Sequence, residues 1–309
     1  MRKGTDATFT ARFKRDFVLN KYLYLMMVPV LAYYVTFHYA PMYGAIIAFK
    51  EYAPMKGILG SDWVGLDNFK AFFGSYYFWR ILKNTVLISL YSLCFEFPAP
   101  IILAILINEL TNKRFQRFVQ TVTYMPYFIS LVVICGMIKD FTNSGGVINT
   151  LFTYFGANDT AMLQKPELFR SIYILSEIWQ KIGWESIIYL AALMSIDQEQ
   201  YEAARIDGAS RWKQIWHITL PGILPTISIM FILRVGNLLN VGWEKIILLY
   251  NPSTYDTADV ISSFVYRKGL LEFGWSYSSA VGLFNSVINL LLLIAANRLS
   301  RKMSENSLW

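Results

Sequence analysis

Residues 202–221 read EAARIDGASRWKQIWHITLP. Seven of those letters have a fixed relation to one another: Glu202-Ala203-Ala204, three residues, Gly208, nine residues, then Ile218-x-Leu220-Pro221. With each letter at about one-in-twenty odds, chance produces the pattern roughly once per billion start positions. The local chemistry predicts a helix, a turn and a second helix. Residues 198–206 are mostly good helix formers. Asp207-Gly208 breaks the run, because glycine accepts backbone angles that other residues resist. Ser210 then suits an N-cap. Trp212, Ile215 and Trp216 fall at i, i+3 and i+4 as one apolar stripe, the pattern of a helix lying at a lipid interface. Pro221 is expected to end that second helix and open the next apolar segment. Ala203 and Ala204 carry little bulk, so a groove on another protein can close around the first helix, and Glu202 offers a carboxylate to a cationic partner.

Composition indicates the surroundings of this loop. The chain of 309 residues is 55% hydrophobic and 16% charged. Soluble domains carry about 25% charged residues, so the shortfall points to a membrane protein. A net charge of +7 then reads as basic loops beside anionic headgroups and not as a nucleic-acid surface. Six apolar stretches, 23–49, 85–107, 119–138, 171–194, 223–240 and 277–296, are expected to cross the bilayer as helices. The first is too long and too rich in tyrosine for the apolar region of a signal peptide. Residues 1–21 hold six of the 28 Lys and Arg. Phe9, Phe13 and Phe17 recur there every four residues among Arg12, Lys14 and Arg15, as in a basic amphipathic tail on the inner leaflet. If the N-terminus lies inside, the segments 1–21, 108–118, 195–220 and 298–309 face the cytoplasm. They hold 15 of the 28 basic residues, in line with the positive-inside rule. Both termini are then cytoplasmic, and 50–83, 139–170 and 243–275 are external loops. No linker or repeat divides the chain, so 1–309 reads as one transmembrane domain. The expected class is all-α, a polytopic bundle of six spans.

Charged residues within a span are costly and usually face a cavity or a partner helix. Glu177, Lys181 and Glu185 share one helix face at i, i+4 and i+8. Arg234, Asn237 and Asn240 do the same at i, i+3 and i+6. The two segments flank the 202–221 loop, so both can line one pathway. Gln180 supplies an amide, and Trp184 is a candidate to stack on a ring of a solute. The bland alternative for the first trio is self-neutralisation, with Lys181 between two carboxylates. Asn285 and Asn289 look like helix–helix contacts. Glu96 is open between pairing with Arg234 and lining the pathway. An arginine in such a pathway suits acidic solutes, although neutral ones use the same groups.

No phosphate-binding loop G-x-x-x-x-G-K-[ST] occurs, so the chain does not bind ATP by that route. G-x-S-x-G, H-E-x-x-H and C-x-x-C are also missing. No catalytic set emerges. Cys94 and Cys135 lie inside apolar stretches, and with His38 and His217 they make no metal set.

The 202–221 pattern matches E-A-A-x3-G-x9-I-x-L-P at every position, and so resembles the cytoplasmic loop of membrane subunits of binding-protein-dependent ABC importers. Gly65-Leu66-Asp67-Asn68-Phe69 is similar to the G-L-x-N-F segment before the second core helix of sugar permeases. The chain as a whole resembles the maltose-type class, within it the subgroup handling complex oligosaccharides, although it lacks the two extra N-terminal helices and large external domain of the best-known maltose permease. The resemblance implies the membrane domain of a type I ABC importer in the cell membrane. It implies a second, homologous permease subunit, two cytoplasmic ATPase subunits that carry ATP and Mg, an extracellular solute-binding protein, a sugar substrate, and no cofactor on this chain. Glu202, Ala203, Ala204, Asp207, Gly208, Ile218, Leu220 and Pro221 would couple the ATPase to transport. A permease for another solute, and a polytopic enzyme acting on lipid-linked sugars, remain open at this point.

Overall fold

The computed structural model describes residues 16–156 and 158–303. The basic tail with Phe9 and Phe13 therefore lies largely outside the described residues. Among the described residues the regular structure is helical apart from one short antiparallel pair, Lys50–Glu51 against Asp62–Trp63.

In chain order the elements are α1 (Lys21–Phe49), α2 (Asp67–Phe73), α3 (Phe78–Asn108), α4 (Lys113–Tyr124), α5 (Leu131–Thr142), α6 (Val147–Tyr154), α7 (Pro166–Met194) and α8 (Gln198–Ile206). After these come α9 (Arg211–Gly236), α10 (Trp243–Leu249), α11 (Tyr255–Ala258), α12 (Ile261–Tyr266) and α13 (Trp275–Met303). Five of the segments are long and apolar enough to cross a bilayer: α1, α3, Leu131–Tyr154, α9 and Trp275–Arg298. A sixth helix, α7, has 29 residues, or about 43 Å at 1.5 Å per residue. The acidic and basic residues along it distinguish it from those five.

Helix α7 forms the axis of the molecule, packing on α3, α4 and α9. Two apolar cores sit at its two ends. One gathers Phe169, Tyr173 and Ile174 of α7 with Ile88, Ile246, Leu249 and Val260. The other gathers Tyr189, Leu190 and Leu193 with Ile101, Ala104, Ile107 and Ile223, at the end that carries α8. A third core, around Phe72, Phe78, Phe264 and Val281, fastens α2 and α12 to α13. Helix α4 approaches α7 very closely at Gly183, where an added Cβ would lie 2.1 Å from the Thr123 carbonyl oxygen.

Several expected boundaries are corrected. The stretch 119–138 is not one helix. α4 ends at Tyr124, a 3-10 turn covers Met125–Phe128, Ile129 is extended, and α5 begins after Ser130. Pro126, at the start of that turn, lacks the amide that a continuing helix needs. Much of the expected loop 139–170 is instead helical, as the end of α5, α6 and the start of α7. α3 begins at Phe78 rather than 85. α9 ends at Gly236, short of 240. The expected loop 243–275 contains α10, α11 and α12, with Lys245, Ile246, Val260, Ile261 and Phe264 buried.

The Gly65–Phe69 segment has a structural task. Gly65 takes φ +61°, a left-handed angle that suits glycine. The Asn68 amide donates to the Ala48 and Lys50 carbonyls, and Phe69 packs on Phe49. These contacts fix where α1 hands over to α2.

Candidate functional site

The 198–221 loop folds as its local chemistry predicts up to residue 214. Asp197 caps α8 by accepting from the Glu199 amide at 3.0 Å. Gly208 follows at φ +73°, and no atom lies within 4 Å of where its Cβ would be. Only backbone conformation, not crowding, explains a glycine there. Ser210 then accepts from the Lys213 amide at the next helix start. Glu202, Ala203, Asp207 and Gly208 are exposed, and no hydrogen bond or ion pair engages the Glu202 side chain among the described residues. Ile206 is 87% exposed, an apolar ledge beside Glu202 that sequence reading passed over. Trp212 and Trp216 are exposed as well. Pro221 does not end a helix. The backbone widens into a π-turn over Ile215–Thr219, which includes Ile218, and runs on into the crossing from Leu220. The wider turn accommodates the amide that proline lacks, so loop and crossing form one continuous rod. Two contacts brace it. Arg211 pairs with Glu109 at the end of α3 (3.0 Å), and the Tyr201 hydroxyl meets the Thr219 hydroxyl at 3.0 Å.

Midway along the helices, between the two apolar cores, lies a polar layer. Glu177 of α7 takes Lys181 at 2.5 Å on one oxygen and Lys245 of α10 at 3.0 Å on the other. The second contact is an ion pair by distance, not aligned as a hydrogen bond. Glu96 of α3 takes Arg234 of α9 and the Ser92 hydroxyl on a single oxygen, so the open question about Glu96 resolves as a pair. Glu185, on the same face as Glu177, joins no ion pair among the described residues, so Lys181 does not sit between two carboxylates. Gln180 is buried with its side-chain oxygen unpartnered. Trp184 has one face stacked on Tyr127, with centroids 4.6 Å apart and planes within 5°, and the Phe128 ring at its edge. One face of the indole is thus already occupied within the protein.

Asn237 and Asn240 fall beyond the end of α9, and their helical one-face relation is lost. A turn still brings them together, Asn240 donating to Asn237 at 3.2 Å. Asn240 in turn accepts from Asn285 and Asn289 of α13 at 2.8 and 3.1 Å. Asn240 thus ties the turn to α13, and both Asn237 and Asn240 remain exposed.

The family described as binding-protein-dependent transport system inner membrane component matches residues 96–305. The chain belongs to that family. It is 42% identical over 312 residues to the polygalacturonan/rhamnogalacturonan transport system permease protein YteP of Bacillus subtilis, covering 99% of this chain and 97% of YteP. It superposes with TM-score 0.88 and 43% identity on a bacterial ABC transporter involved in import of the acidic polysaccharide alginate, covering 95% of this chain and 99% of that one. For a bacterial alginate ABC transporter in complex with alginate pentasaccharide-bound periplasmic protein the values are 0.89 and 42%, covering 96% and 100%. The chain is a permease of the sugar and oligosaccharide ABC importers, a multi-pass transport component rather than an enzyme.

Two groups in the permease escaped sequence reading, both inside the supposed external loop. Lys245 is 2% exposed along its side chain and reaches Glu177, with Tyr173 beside it. Asp259 is fully buried and holds Arg267 at 2.6 Å and Arg80 at 3.3 Å. Burial works against the Arg267 charge, but the hydrogen bonds and charge of Asp259 outweigh it and keep its pKa above the ordinary arginine value. Around that pair, Asn84 donates to the Asp256 and Asp259 carbonyls, and Arg170 donates to Asn84 and the Thr257 carbonyl. Segment 255–267 is thereby clamped to the starts of α3 and α7. Neither stands out in the sequence, since Lys245 follows Glu244 directly and Asp259 follows Asp256 by three residues. A cavity of about 700 Å³ lies elsewhere, among Ile134, Phe141, Phe152, Ile172 and Trp179. Its lining is mostly apolar and includes none of the charged residues of the polar layer, so it suits hydrocarbon better than a sugar.

Proposed function

We propose that this permease crosses the membrane six times as one unit, with α7 as the crossing that carries the polar layer, both termini in the cytoplasm, and segment 243–275 on the outside. It pairs with a second, homologous permease. A solute-binding protein delivers an oligosaccharide from outside, and two ATPase subunits, which hold the ATP and Mg, drive the cycle. The alginate transporter described with its periplasmic protein supports this assembly.

The observation that carries the reading is the continuous rod from the loop into the crossing. Glu202, Ala203 and Ile206 present an exposed ledge, Gly208 turns the chain, and Ile218, Leu220 and Pro221 lie on the helix that continues to Arg234. Movement of an ATPase against α8 therefore reaches the polar layer along covalent structure. Gln180, Lys181, Trp184, Arg234 and Asn237 line the sugar route, with Glu177 behind Lys181. Closing of the ATPases shifts the pathway between two states, each favoured by a different ligand.

Purification of the tagged chain in mild detergent, with mass identification of its companions, tests the assembly. Recovery of an ATPase, a second permease and a binding protein is expected. A fully membrane-integrated chain that comes down alone contradicts it.

A further inference from the structure

The polar layer shows an asymmetry in exposure. In two of its three ion pairs the cation is accessible and the carboxylate is hidden; in the third, Lys245 with Glu177, both are buried. Lys181 is 40% exposed and Glu177 6%; Arg234 is 33% exposed and Glu96 9%. A ligand entering here meets ammonium and guanidinium groups, with their counter-ions behind them. Neutral sugars are held largely by carboxylates and amides that accept from hydroxyls; here the Asn237 and Asn240 amides are exposed, but two of the three carboxylates, Glu96 and Glu177, are withdrawn. Glu185 is the exception, half-buried two turns along α7 from Glu177. The accessible groups still number two cations to one carboxylate.

We infer that Lys181 and Arg234 select an oligosaccharide bearing carboxylates, with Lys245 as the positioning residue that makes Lys181 available. This rests on the sugar-import reading above and adds the substrate class. Lys245 is what makes the arrangement informative. A buried carboxylate with one cation loses heavily if that cation leaves. Glu177 has two, and Lys245 is buried and fixed on α10. Lys181 can therefore turn towards a ligand carboxylate while Glu177 remains neutralised. Arg234 has comparable freedom for a different reason. One terminal nitrogen serves both Glu96 and Ser92, and no other N–H group of its guanidinium has a recorded partner among the described residues. The remaining donors form a fork suited to a carboxylate. Gln180, adjacent to Lys181 in sequence, adds a buried unpartnered oxygen that can accept from a hydroxyl.

The test uses the complete transporter in liposomes, with two probes: a galacturonate trimer, and the same trimer with its carboxyl groups reduced to alcohols. Direct binding is measured without the binding protein, whose own selectivity would otherwise mask that of the permease. The wild-type complex is expected to favour the acidic trimer by about tenfold or more, the effect of one charge-assisted contact. Lys181→Gln should bring the ratio towards one by weakening binding of the acidic trimer far more than that of the reduced trimer, and Lys181→Arg should restore it. Lys245→Met should also lower the ratio, since Lys181 is then held by Glu177 alone, and Lys245→Arg should rescue it. Equal wild-type binding of both probes, or a Lys181→Gln loss shared equally between them, overturns the inference and leaves sugar import standing. A complex that hydrolyses ATP yet takes up neither probe nor any other sugar refutes the import reading itself.

Discussion

Gly208 isolates one physical variable. It sits at φ +73° with open space where a side chain would go, so a substitution there changes backbone preference without adding a clash. Left-handed geometry costs an ordinary residue roughly 1–2 kcal/mol, with asparagine less affected and a β-branched residue at the top of the range. A penalty of 1–2 kcal/mol lowers the population of the required turn by about 5–30-fold. The series Gly208→Asn, Gly208→Ala, Gly208→Val should therefore lower coupled transport progressively, with valine worst. Uptake and ATP hydrolysis are to be measured together in liposomes, on complexes of matched subunit content. The expected signature is uptake that falls faster than basal ATP hydrolysis, because the turn places α8 and does not build the ATPase. Full uptake by Gly208→Val, or asparagine as damaging as valine, would refute the argument from backbone strain.

Three further outcomes follow from particular contacts. Glu202→Lys reverses the charge on the exposed ledge of α8 and should weaken co-purification of the ATPase by about tenfold, the loss of one charge-assisted contact; undiminished recovery counts against docking at this residue. Gly183→Ala places a Cβ 2.1 Å from the Thr123 carbonyl, which is backbone and yields little. It should cost about 1–3 kcal/mol, as overpacking does, visible as a lower melting temperature of the purified complex; an unchanged melting temperature would show that α4 moves aside freely. Asp259→Ala leaves Arg80 and Arg267 without their shared carboxylate and should cost about 3–5 kcal/mol, checked by the same melt and by faster protease cleavage within 250–275, whereas wild-type behaviour would mean that the clamp is dispensable.

The parts of this permease that were legible in its sequence depend on neighbours within a few residues. The α8 helix, the Gly208 turn and the Ser210 cap are decided by local propensity and capping, and the structure shows all three. The pairing of Glu177 with Lys181 follows from helical spacing alone. What was missed depends on distant segments. Segment 243–275 reads as an external loop, and nothing local says that it folds back to bury Lys245 and Asp259. The end of α9 at Gly236 is similar. Asn240 turns away to meet Asn285 and Asn289, 45 and 49 residues further on, and that partnership outweighs continuation of the helix. A proline usually punctuates a helix, but at Pro221 a π-turn just before it removes the conflict and the helix runs on. Pro126, in a similar setting, does break its helix, as the 3-10 turn at Met125–Phe128 shows.

The account rests most heavily on α8 as the contact with the ATPase, and one cross-linking measurement bears on it directly. Ile206 is 87% exposed on that ledge, and a photo-reactive benzoylphenylalanine at this position reports what covers it. In the assembled complex, illumination should give an adduct of permease plus ATPase mass whose yield changes between nucleotide-free and ATP-bound states. Adducts to lipid alone, or an ATPase adduct absent at Ile206 but present at a control position on α6, would contradict the placement of the coupling contact on this loop.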